Sequence, residues 1–206
     1  MTLRSVIVEQ FGNPRGPLGR IVGYILANRP SGAERSRWTV DLLKLQEGQV
    51  ILEIGCGPGL ALENCLAKLS TSRIVGIDHS ELMIRQARRR LHSDVKSGRL
   101  ELRNGGLEIL ADETDVYDRI FSINVIQFLG DMDLVFALLH NRLKPGGLCA
   151  TTLQPRNQGA TRETALKAAR NMSCAMEKAG FAEVSSHELP MEPTHAICVT
   201  GVKVDH

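Results

Sequence analysis

Apolar residues in this chain fall into short unbroken runs and longer stretches with helical spacing, and the two alternate from about residue 50 onward. The runs at 50–54, 73–77, 100–103, 119–125 and 148–153 predict β-strands, mostly apolar as strands covered on both faces must be. Between them, Ser80 can cap a helix carrying Leu82, Met83, Ala87 and Leu91, and Asp131 another carrying Leu134, Val135, Leu138 and Leu139. A third helix is predicted over 161–179, with Ala165, Leu166, Ala169, Met172 and Met176 on one face and Gly180 as its stop. Two more strands are expected at 182–189 and 195–202, parted by Pro190-Met191-Glu192-Pro193. Short strands alternating with longer helices imply crossover units around a parallel sheet, an α/β fold wound on both faces.

The first 45 residues differ. Leu18, Ile21, Val22, Ile25 and Leu26 form one apolar stripe, and Ser31-Gly32-Ala33-Glu34 reads as a capping box opening a second helix. The expectation is one domain over 1–206, with residues 1–45 a helical lid and 46–206 the core. Tyr24 and Trp38 supply aromatic surface for a covered pocket. A chain starting near residue 40 is then expected to fold and keep its cofactor but to lose turnover. A helix that packs on the sheet edge or mediates a homodimer is the alternative.

A length of 206 residues suits one domain with a core of its own. The net charge of +2 and an aromatic share of 4% argue against nucleic acid, which rewards basic surface and stacking rings. Before residue 41, however, six arginines meet two glutamates, a segment that suits an anionic surface. The five cysteines form no CxxC pair and no zinc pattern, which points to a reducing compartment, the cytoplasm. No apolar run is long enough to span a bilayer, so stable membrane insertion is not expected.

The most informative stretch is Val50-Ile51-Leu52-Glu53-Ile54-Gly55-Cys56-Gly57-Pro58-Gly59, an apolar strand running into three close glycines before a helix. Glycines there let the main chain turn sharply and approach a ligand, with helix N–H groups facing it. The dinucleotide fingerprint spaces its glycines G-x-G-x-x-G; here the spacing is G-x-G-x-G, which counts against NAD. Asp78, ending the next strand, stands where a carboxylate can accept both hydroxyls of a ribose.

Together these residues resemble the class I S-adenosylmethionine-dependent methyltransferase family over roughly residues 40–203. Glu53 to Gly59 is similar to the family's first motif, Gly76-Ile77-Asp78-His79-Ser80 to its second, and Leu143-Lys144-Pro145-Gly146-Gly147 to the turn before its fifth strand. The resemblance implies a Rossmann-like, mostly parallel seven-stranded sheet whose last strand is antiparallel. It implies S-adenosylmethionine as cofactor, with Glu53, Gly55, Cys56, Gly57 and Gly59 around its methionine part and Asp78 on the ribose. His79 and Leu107 would flank the adenine, and Asn124 would offer its carbonyl to the cofactor's ammonium beside Val125. Gly106 stands where many members carry an Asp for the adenine amino group, so that contact passes to backbone groups or to Glu108.

Cys56 need not be a nucleophile, since small residues including Cys are common at that point of the motif. Gln127 and Gln154-Pro155-Arg156 follow strand ends and can orient an acceptor; solvated loop residues are the alternative. No catalytic residue and no metal ligand stand out, which fits displacement at a sulfonium, where positioning and desolvation do much of the work. The expected activity is methyl transfer to a small-molecule O, N, S or C nucleophile. The alternatives are a lipid or quinone methyltransferase at the membrane surface, a non-catalytic cofactor-binding protein, or a nicotinamide-dependent fold mate.

Overall fold

The computed structural model describes residues 30–111 and 114–204. The stripe from Leu18 to Leu26, and Tyr24 with it, lie outside the described residues.

Seven strands form one sheet: β1 (Val50–Ile54), β2 (Arg73–Asp78), β3 (Leu100–Asn104), β4 (Tyr117–Ile123), β5 (Leu143–Leu153), β6 (Ala182–Leu189) and β7 (Ala196–Val202). Their order is β3-β2-β1-β4-β5-β7-β6. The β3 to β5 pairings are parallel, whereas β7 lies antiparallel between β5 and β6. The sheet is therefore doubly wound and mostly parallel, and its switch point lies between β1 and β4, where chain order reverses.

Alternation along each central strand divides the core in two. Leu52 and Ile54 of β1 join one cluster with Phe136 and Leu139 of α6 (Met132–Arg142) and Met172 and Met176 of α7 (Arg162–Lys178). Ile51 joins the other, with Val40 of α1 (Pro30–Leu42), Leu62 and Cys65 of α2 (Leu60–Lys68) and Ile84 of α3 (Glu81–Arg90). Two short helices, α4 (His92–Lys96) and α5 (Glu108–Ala111), flank β3.

Several boundaries differ from the pattern, three of them with a clear local cause or consequence. The fourth strand ends at Ile123 rather than at residue 125, because Asn124 turns left-handed with φ 58° and the chain enters a short 3₁₀ helix, Ile126–Phe128. The fifth strand starts earlier, at Leu143, with an irregular register before Leu148. The second N-terminal helix opens at Pro30, so Ser31 lies inside its first turn; a proline preset to helical φ and lacking an N–H suits that position.

That helix is built into the core. Val40 and Leu43 are buried, the Leu43 carbonyl accepts from Arg119 Nε at 2.8 Å, and the Thr39 hydroxyl lies 2.8 Å from that of Thr152. Among the described residues, then, α1 packs into the core.

Candidate functional site

Residues 55–59 turn from β1 into α2 with positive φ at all three glycines: 66° at Gly55, 53° at Gly57 and 86° at Gly59. Other residues rarely adopt that region. Gly55 has a second constraint, since a Cβ there would collide with the Val125 side chain. That contact brings the ends of β1 and β4 together, as the motif pattern implied. A Cβ at Gly57 would meet nothing within 4 Å, so the loop has open space at its own main chain, where a ligand can approach.

Gly59 caps α2 but has no side chain to do so. Glu53 lies near that start, close enough to the Leu62 amide in the first turn of α2 for the amide to favour its charged form. Glu53 is buried, its Oε2 has no hydrogen-bond partner, and burial followed by the charge of Asp78 raises its pKa well above the usual carboxylate range. A carboxyl group whose native pKa lies above its unfolded value favours the fold fully below the unfolded value, and that advantage fades as pH rises through the native one. Wild-type protein is expected to lose thermal stability between pH 5 and pH 8 relative to Glu53→Gln. Thermal unfolding at both pH values checks this; an equal pH slope in the two proteins would remove Glu53 as the cause.

Asp78 ends β2, buried, with both oxygens in use: Oδ2 accepts from the Gly57 amide at 2.8 Å and Oδ1 from the Ser80 amide at 2.8 Å. It thereby ties the glycine turn to the start of α3. A carboxylate offers about four acceptor positions, so two remain for hydroxyl donors. Burial raises its pKa, opposed by those two amides.

The next residue, His79, is half exposed, with Nδ1 3.8 Å from Asp78 Oδ1. Glu108 folds back so that Oε1 accepts from the Gly106 amide at 2.7 Å, and that hydrogen bond lowers its pKa. Its carboxylate fills the space that a Cβ at Gly106 would enter. A carboxylate thus stands against the main chain of Gly106, supplied by residue 108. Leu107 is half-buried between them.

Asn124 links the ends of β4 and β5. Its amide donates to the Thr152 carbonyl at 2.8 Å, and its Oδ1 accepts from the Gln154 amide at 2.7 Å. The Asn124 carbonyl, expected to face the cofactor, accepts from Gln127 Nε2 at 3.0 Å, so Gln127 turns back on the strand end. Cys56 is buried, and its thiol pKa is pushed well up by burial and then by the charge of Glu53, the opposite of what a nucleophilic thiolate needs. Arg35 of α1, which the sequence pattern left unnoticed, also reaches this end of the sheet through Gln154. Only its presence on an otherwise core-facing helix could have signalled it.

Residues 52–149 match the family model described as a methyltransferase domain. The chain is 31% identical over 183 residues to the uncharacterized methyltransferase YdaC of Bacillus subtilis, covering 89% of this chain and 98% of that one. It is 39% identical over 151 residues to a ubiquinone biosynthesis O-methyltransferase of Chelativorans, covering 70% of this chain but 57% of that relative. Among solved structures, phosphoethanolamine N-methyltransferase 2 of Haemonchus contortus, in complex with phosphomonomethylethanolamine and S-adenosylhomocysteine, superposes with a TM-score of 0.71 at 17% identity, over 90% of this chain and 57% of that one.

Proposed function

Since the chain belongs to the class I S-adenosylmethionine-dependent methyltransferases, whose cofactor is S-adenosylmethionine, we propose that it methylates a small-molecule acceptor in the cytoplasm, with the cofactor held at the ends of β1, β2 and β4. The observation that carries the site assignment is Asp78: two backbone amides fix its carboxylate beside the glycine turn, and two acceptor positions remain for the ribose hydroxyls. Gly55, Cys56, Gly57 and Gly59 contribute main chain around the methionine part, with Glu53 anchoring the helix behind them. His79 and Leu107 flank the adenine, and Glu108 takes the role of the acid absent at Gly106. Asn124 offers the second lone pair of its carbonyl to the ammonium, beside Val125.

The bound cofactor supplies a methyl group activated by a sulfonium. The protein's part is to hold acceptor and donor in line and to keep water out, which needs no dedicated acid–base pair for an acceptor that is already nucleophilic. A cytoplasmic location is supported by five free cysteines, four of them buried, and by the observation that no described helix is long and apolar enough to cross a membrane.

S-adenosylmethionine and its demethylated product are expected to bind at micromolar concentration, and NAD not to bind, because a G-x-G-x-G turn with one ribose carboxylate suits a single nucleoside. Calorimetry with the three ligands decides; tight NAD binding without a response to S-adenosylmethionine overturns the assignment. Incubation with methyl-labelled cofactor and metabolite extracts then separates an enzyme from a protein that only binds. The 39% identity to a ubiquinone biosynthesis O-methyltransferase favours a phenolic quinone precursor as the second reading. Labelled quinone precursor recovered from a membrane extract would support it.

A further inference from the structure

Arg35 lies on the core-facing side of α1 and is 8% exposed. Among the described residues its guanidinium has no acidic partner: Nη1 donates to the Gln154 side-chain oxygen at 2.5 Å, and the buried Nε has no hydrogen-bond partner. Burial, and then the charge of Arg156, pulls its pKa down to about 10, so it stays cationic at neutral pH. Folds rarely retain a buried cation without an opposing charge, because desolvation penalises the charged form.

Arg156 converges on the same oxygen, with Nε at 3.1 Å and Nη2 at 2.7 Å from Gln154 Oε1. The amide is held in that orientation because its nitrogen donates to the carbonyls of Glu192, at 3.0 Å, and Thr194, at 2.8 Å. One neutral oxygen therefore faces N–H donors from two cations, and the Nε of Arg35 is left without an acceptor. Thr194, 4% exposed, adds a hydroxyl oxygen without a hydrogen-bond partner beside the same amide.

The position of this cluster matters as much as its charge. Gln154 follows β5 directly, and its main-chain amide donates to the Asn124 side chain at 2.7 Å, one residue before the Val125 that packs over Gly55. The arginines thus stand outside the carboxyl end of the sheet beside the candidate cofactor turn, where open α/β sheets bind ligands.

We propose that Arg35 and Arg156 bind a carboxylate of the methyl acceptor, with Gln154 as the positioning residue that gathers them. The proposal rests on the cofactor reading above, since it assigns the acceptor half of that same site. Two planar forks match the planar, two-oxygen geometry of a carboxylate, whose negative charge would balance Arg35.

The test uses the full chain with S-adenosylhomocysteine present. A panel of short-chain mono-, di- and tricarboxylates and benzoate is titrated by calorimetry against the matched primary amides and inorganic phosphate. At least one carboxylate is expected to bind, with its amide weaker by about tenfold or more. Arg156→Gln, at an exposed position, is expected to weaken that carboxylate by about tenfold while S-adenosylhomocysteine affinity changes by less than about twofold. Arg35→Gln can fail to fold, so Arg35→Lys is measured beside it: it keeps the charge, loses the fork, and should bind the carboxylate more weakly than wild type. The proposal is overturned by S-adenosylhomocysteine binding with no carboxylate bound, by carboxylates and amides binding alike, by phosphate outcompeting every carboxylate, or by Arg156→Gln changing nothing. Loss of S-adenosylhomocysteine binding in the wild type would instead overturn the cofactor reading, and this one with it.

Discussion

Asp78→Ala is expected to weaken S-adenosylhomocysteine binding by about a hundredfold. Two hydrogen bonds from ribose hydroxyls to a charged acceptor are worth roughly 1.5–3 kcal/mol each, and the lower figure counted twice is about two decades of affinity. The substitution also strips the acceptor from the Gly57 and Ser80 amides, both at 2.8 Å, so the glycine turn loses its tie to α3. Leaving such groups unpaired costs about 1–3 kcal/mol, and the thermal midpoint should fall with it. Asp78→Asn keeps one acceptor oxygen and should lie between wild type and Asp78→Ala in affinity. Calorimetry and thermal unfolding on the same samples separate the two effects. A folded Asp78→Ala protein with unchanged affinity would show that the ribose lies elsewhere.

Deletion of residues 1–43 is expected to leave no cooperatively folded protein. Because every cofactor motif begins after residue 49, the sequence predicts that a chain starting near residue 40 stands by itself, but Leu43 is 0% exposed and Val40 1% exposed, both in the cluster that covers one face of the sheet. Leu43→Ala by itself should destabilise by about 2–5 kcal/mol, because the removed methyl groups leave a cavity between α1 and the strands. Loss of the whole helix adds Val40 and uncovers Ile51 and Phe121, which approaches the roughly 5–15 kcal/mol that holds a domain folded. Circular dichroism during heating tests both variants. A sharp unfolding transition in the truncated protein, or a Leu43→Ala midpoint equal to wild type, would return α1 to the status of an appendage.

The strands were legible in advance because a parallel sheet buries both faces. Ile51, Leu52, Ile74, Val75 and Ile77 have to be apolar wherever the helices fall, so the runs that formed β1 and β2 could be read without knowing their neighbours. The glycine turn and Asp78 were legible for a related reason: positive φ and a carboxylate at a strand end are local requirements, written in adjacent residues. Asp131 caps its helix as expected and Thr161 caps the next, both through atoms a few residues away.

What only the tertiary structure decided involves partners distant in sequence. The capping pattern at 31–34 shows that a helix starts there but not that it packs on β5, and the pairing of Thr39 with Thr152 and of Arg35 with Gln154 spans more than half the chain. Four residues on a helix advance roughly 6 Å, nearly the same as two residues on a strand, and this match lets both pairs form at once. Nothing near Arg35 in sequence distinguishes a buried cation from a solvated one. Glu53 likewise reads as one polar residue in a strand until the fold places the uncapped start of α2 above it. Glu108 meets the main chain of Gly106 only because the chain turns between them. Local conformational demands are thus recorded in the sequence itself, whereas the balance of charge and hydrogen bonding is settled between segments that meet only on folding, because a buried group's free energy depends on whatever surrounds it in space.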